Sequence, residues 1–237
     1  MDQRERMFNL PATIVWLSGA LFAIQLVRGF LPYASDVGLL MTFGFIPARY
    51  GEVAASLPGG EGAMIWTPLT YAFLHADWMH VGVNVMWMVA FGSAVARRFG
   101  SARFLGFFAV TAVAGAAAQY LAMPADQTLV IGASASVSGL TAAVARFAFV
   151  PGGPLAGGRG REEGFFVPDP GLKASLLNPY SAFFIGIWFA INLLFGLQSG
   201  LVPGAEGQIA WQAHIGGFVA GLVLFPLFDP VAPARRI

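Results

Sequence analysis

The chain has 237 residues, 57% hydrophobic and 11% charged, with a formal net charge of +1 at pH 7 and no cysteine. Soluble domains carry about 25% charged residues, so a single water-exposed fold could not hide this much apolar surface. The weak net charge excludes a nucleic-acid-binding field, and the missing cysteines exclude disulfides, thiolate nucleophiles and Cys-held metals.

Taken in chain order, a short tail of mixed charge, about 1–8, precedes a first apolar run over 10–30. That run is long enough to span and lacks a small-residue cleavage site, so it reads as a retained helix rather than a signal peptide. Residues 32–69 follow as a turn-rich segment (Leu57-Pro58-Gly59-Gly60-Glu61-Gly62), read as an interfacial, partly embedded loop, with a seventh short span as the alternative. Further spans are expected over 70–94, 103–122, 129–149, 180–198 and 209–228, each near the roughly 20 apolar residues that a bilayer crossing needs. Between the fourth and fifth, about 150–179 is rich in Gly and Pro and holds Arg159, Arg161, Glu162, Glu163, Asp169 and Lys173. Its composition predicts a solvated loop. The aromatics of the fifth span (Phe183, Phe184, Trp188 and Phe189) face lipid or core, or else form a lateral gate.

The expected fold class is therefore all-α, a single polytopic membrane domain over 1–237 with six spans and a long outward-facing first loop. Orientation follows from lysine and arginine near span ends. Eleven of them (Arg4, Arg6, Arg97, Arg98, Arg103, Arg146, Arg159, Arg161, Lys173, Arg235 and Arg236) fall on one side, against Arg28 and Arg49 on the other. Both termini and the 150–179 loop are thus expected in the cytoplasm, with Arg97 and Arg98 read as a stop signal. With no transit peptide in so compact a chain, a bacterial inner membrane is the expected location.

Polar groups in hydrocarbon are costly and tend to mark function. The fourth span carries Gly132-Ala133-Ser134-Ala135-Ser136-Val137-Ser138-Gly139, and the sixth carries His214. Ser134 and His214 each lie about five residues below the outer end of their span, a depth of roughly 8 Å. His80 and Asn84 share one face of the second span through their i, i+4 spacing. They sit level with the other two if that span starts near Asp77, and deeper if it starts near Thr70. A serine needs an adjacent base to become a nucleophile, and His214 is the candidate base. Every carboxylate lies in a loop or near a span end, with Asp77, Asp126 and Glu206 the nearest on the outer side, so the expected site is a Ser–His dyad whose ring is steadied by packing and neutral hydrogen bonds. His80, Asn84 and the Ser134 N–H are candidate oxyanion donors. A base must be neutral to accept a proton, so acidification is expected to slow the reaction. Gly216, Gly217 and Gly221, with Gly132 and Gly139, are expected to let two helices approach closely.

These motifs resemble the rhomboid family of intramembrane serine proteases in its minimal six-helix form. Gly132-Ala133-Ser134 is similar to the nucleophile motif, Ala213-His214-Ile215-Gly216-Gly217 to the base motif, and His80-Val81-Gly82-Val83-Asn84, after Phe73-Leu74-His75, to the HxxxN oxyanion motif. The likeness runs from about Trp66 to Phe228. It implies Ser134 as nucleophile, His214 as base, His80 and Asn84 as oxyanion stabilisers, and single-span membrane proteins as substrates, with no cofactor or metal. Ala135 departs from the family's Gly after the serine, and Ser138 stands where an aromatic often supports the histidine. A catalytically inactive relative that binds membrane helices is the alternative; a transporter ranks behind both for want of a carboxylate relay.

Overall fold

A computed structural model describes residues 10–51, 53–156, 162–197 and 210–232. The tail over 1–8 and Arg159, Arg161, Arg235 and Arg236 lie outside the described residues. The architecture is all-helical: α1 (Ala12–Arg28), α2 (Tyr33–Phe43), α3 (Ala63–Thr70), α4 (Trp78–Trp87), α5 (Ser93–Phe99), α6 (Ser101–Ala122), α7 (Ser134–Phe147), α8 (Leu172–Leu177), α9 (Pro179–Leu197) and α10 (Trp211–Phe228). Among the described residues the only β pairing is one isolated bridge between Phe45 and Val130. That bridge ties the first loop to the segment leading into α7.

Among the described residues, three helices are long and apolar enough to cross a membrane: Trp78–Phe99, Ser101–Ala122 and Trp211–Phe228; Ala12–Arg28 and Pro179–Leu194 are shorter apolar helices. The chain is a multi-pass membrane protein. The first of the three is continuous from α4 into α5 through a single π-helical stretch, Met88–Gly92. Its start at Trp78, capped by the Asp77 carboxylate accepting from the His80 N–H at 2.7 Å, decides between the two expected starts. Residues 63–73 form α3 and a short 3-10 turn instead.

Helix α7 occupies the centre. Every residue from Ala135 to Phe147 is buried, and its 14 residues rise only about 21 Å. A helix that short cannot by itself match a hydrocarbon core of about 30 Å, and it meets protein rather than lipid on its flanks. The glycines of α10 set its neighbours. Gly217 lies against the Ala135 backbone, Gly221 against that of Gly139, and Gly216 against Ala114 and Ala118 of α6. One helix thus presents small residues to two partners, which is how membrane helices gain close packing. Gly132 plays no part in this contact, contrary to expectation.

The far end of the bundle holds buried charge. Arg98 forms a two-pronged pair with Asp229, both contacts 2.8 Å, and donates to the carbonyls of Phe165 and Val167. Arg146 pairs with Asp169 and donates to the Leu222 carbonyl. Arg98 is therefore more than a stop signal. The 150–179 loop is likewise not simply solvated: Gly164, Phe165 and Asp169 are buried beneath the bundle because the two guanidiniums recruit them. In the first loop, buried Arg49 donates to the carbonyls of Pro58, Gly60 and Met41 and so gathers its turns. Burial lowers the Arg49 pKa from its ordinary value.

Candidate active site

Ser134 is the first residue of α7, His214 the fourth of α10 and His80 the third of α4. All three therefore sit in first turns at one end of the bundle. The Ser134 Oγ lies 2.7 Å from the His214 Nε2, within the reach that a nucleophile and its base require. As the opening residue of a helix, Ser134 has a backbone N–H with no acceptor in its own helix. It also stands where the helix dipole favours negative charge.

The approach to Ser134 is fixed by Gly132. Its φ of +123° belongs to the left-handed region that favours glycine, and a Cβ there would meet the His80 Nε2 at 2.7 Å. The same point lies 3.8 Å from the Ser134 Oγ, so His80 reaches the space beside that hydroxyl. The Gly132 N–H donates to the Tyr71 carbonyl at 3.0 Å, and the Tyr71 hydroxyl donates to the Ala112 carbonyl at 2.8 Å. His80 Nδ1 accepts from the Ala76 N–H at 3.3 Å. In a neutral ring this leaves the proton on Nε2, the atom nearest the site.

Asn84 lines the same cavity, but one of its N–H groups is already spent on the His80 carbonyl at 2.9 Å. One donor remains for a ligand. His75 is buried; its Nε2 accepts from the Ala133 N–H at 3.3 Å, and its ring meets that of His80 edge-on at 5.0 Å. The Arg28 guanidinium, paired with Asp36 at 2.7 Å, donates to the His75 carbonyl. The neighbouring serines divide. Ser136 donates to the Phe108 carbonyl of α6 at 2.8 Å and ties two helices together, whereas Ser138 donates to the Ser134 carbonyl at 2.7 Å and lines the cavity. The Ala135 methyl points towards Gly115 on α6, so this departure from the motif does not intrude on the site.

One contact was not anticipated. Asn192 of α9 brings its Oδ1 to 2.7 Å from the His214 Nδ1. The support that an aromatic at Ser138 would have given the ring comes instead from a neighbouring helix. The signal was present in the sequence as a lone amide deep in an apolar run.

The cavity above these groups has a volume of about 860 Å³. Its walls include Trp87 and Phe91 on one side and Phe184 and Trp188 on the other. Phe91 stacks on Trp87 at 5.2 Å and meets Phe184 edge-on at 5.6 Å, closing the seam between the α4–α5 helix and α9. Of the other span-five aromatics, Phe183 is exposed and Phe189 packs on Phe218. Among the described residues no group of three His, Cys, Asp or Glu side chains is arranged to hold a metal ion.

A family model for the rhomboid domain matches residues 62–154 and 164–229. The chain belongs to the rhomboid family. Rhomboids are generally intramembrane serine proteases and act on membrane proteins within the bilayer. The match takes in α3 to α10 and therefore every residue of the cavity's polar layer. No curated protein matches this rhomboid chain significantly.

Proposed function

We propose that this rhomboid is an intramembrane serine endopeptidase that uses Ser134 as nucleophile and His214 as general base. The observation that carries the reading is the 2.7 Å approach of the Ser134 Oγ to the His214 Nε2. Ser134 Oγ attacks the scissile carbonyl carbon while His214 Nε2 takes the hydroxyl proton. The resulting oxyanion is met by the Ser134 N–H, the His80 Nε2–H and the free Asn84 N–H. The intermediate collapses when His214 returns the proton to the leaving amine. Water then hydrolyses the acyl-enzyme with His214 again as base, and a cavity of 860 Å³ has room for it.

In this reading α1, the α4–α5 helix, α6, α7, α9 and α10 are six spans of one domain over 1–237. The site opens outward, the Arg98 and Arg146 end faces the cytoplasm with both termini, and the membrane is a bacterial inner membrane. Substrates are single-span membrane proteins, entering where Phe91 and Phe184 meet. The test is cleavage of a transmembrane reporter by purified protein in vesicles. Cleavage that persists in Ser134→Ala overturns the assignment. A wild type that neither cleaves nor reacts with a fluorophosphonate at Ser134 makes it a helix-binding relative instead.

A further inference from the structure

Three hydrogen bonds run in series through the site and leave only one consistent direction. The Asn192 Nδ2 donates to the Trp188 carbonyl at 2.8 Å, one turn back along α9. A carbonyl cannot donate, so the amide nitrogen must face Trp188, and the Oδ1 is the atom turned to His214. That oxygen is an acceptor only. The His214 Nδ1 at 2.7 Å must therefore carry the proton, which leaves the Nε2 lone pair facing the Ser134 hydroxyl at 2.7 Å. Reversing the amide would set its oxygen against the Trp188 carbonyl and its NH2 against the ring, and it would favour the unreactive tautomer.

We infer that Asn192 is a positioning residue that holds His214 in the tautomer able to accept the Ser134 proton, completing a Ser–His–Asn series across α7, α10 and α9; this rests on the serine-protease reading above. An amide is physically apt here. A third-member carboxylate would have to be ionised at membrane depth, which is expensive, whereas Asn192 supplies the acceptor with no charge. In triads of the soluble serine proteases, an amide presenting its NH2 in place of the carboxylate lowers kcat about 10⁴-fold through the wrong tautomer. The Trp188 carbonyl guards against that failure in this chain. Asn192 touches no reacting atom and acts only through the ring.

The test reads the tautomer directly. The chain has three histidines, so ¹⁵N-histidine labelling gives three imidazoles, assigned with His75→Ala and His214→Ala. In the wild type, the His214 Nδ1 is expected to be protonated and the Nε2 bare. In Asn192→Leu, which keeps the volume, and in Asn192→Ala, that pattern is lost or reversed. Fluorophosphonate labelling of Ser134 then falls roughly 10- to 10³-fold, below the wrong-tautomer limit of about 10⁴. Unchanged His214 signals in both variants overturn the inference even if labelling drops, because Asn192 would then act through packing. A wild type that shows the Nδ1–H pattern, loses it on Asn192→Leu, yet never labels at Ser134, sinks the protease reading and leaves the positioning role standing.

Discussion

Where α4, α7 and α10 begin, the polar side chains are mostly neutral and surround a cavity: Ser134, His214, His80, Asn84 and Asn192. Where the α4–α5 helix, α7 and α10 finish, the polar groups are full charges paired with one another. There Arg98 pairs with Asp229 and Arg146 with Asp169, while Phe147 and Phe225 stack at 6.0 Å and lie under the guanidiniums. Both ends bury polar atoms, but they satisfy them differently. At the charged end each nitrogen of the Arg98 and Arg146 guanidiniums meets a carboxylate or carbonyl, which fixes α5, α7 and α10 relative to one another. The neutral end keeps an Asn84 N–H uncommitted beside the cavity, the unspent hydrogen-bonding capacity that the proposed reaction would draw on and a structural network would consume.

Substitutions at the two ends should therefore separate stability from chemistry. Breaking the charged end by Asp169→Ala leaves the Arg146 guanidinium buried without its carboxylate, and removing one partner of such a pair costs about 3–5 kcal/mol. Thermal denaturation in detergent should show a large fall in midpoint, while the protein that remains folded labels at Ser134 as before. At the neutral end, Gly132→Ala drives a methyl into the His80 Nε2 and strains a φ of +123°. Fluorophosphonate labelling should fall by about 10²–10³, the usual loss of one oxyanion donor, with about 1–3 kcal/mol of strain in the melt. Asn84→Ala removes the second side-chain donor and should lower reporter cleavage by about 10² with little change in midpoint. The smallest effect is expected at the seam. Phe184→Ala removes one aromatic contact worth about 0.5–1.5 kcal/mol, so cleavage of a transmembrane reporter should rise a few-fold while labelling by a small soluble probe stays level.

Much of the neutral end was legible in the sequence because each residue there violates its surroundings: a serine cluster, a histidine and an HxxxN pair inside apolar runs. Their common level hinged on whether the second span starts near Asp77 or Thr70, and the Asp77 N-cap bond decides for the former. Asn192 broke the same rule but went unread. Sequence spacing places it in the right span without telling which face it occupies, and only the turn of α9 brings it to His214. The charged end was misread for a different reason. Arg98 and Arg146 look like topogenic charges, and their carboxylates lie 131 and 23 residues away in the chain, so no local pattern joins them. The π stretch at Met88–Gly92 left no mark in the composition. It carries Phe91, which meets Phe184 across the seam.

The most direct measurement is the rate at which a fluorophosphonate labels the purified wild type, Ser134→Ala and His214→Ala, with the modified residue located by mass spectrometry. One adduct is expected, on Ser134, absent in the first variant and slowed by several orders of magnitude in the second. An adduct on another residue, or a wild-type rate that is indifferent to His214, would contradict it.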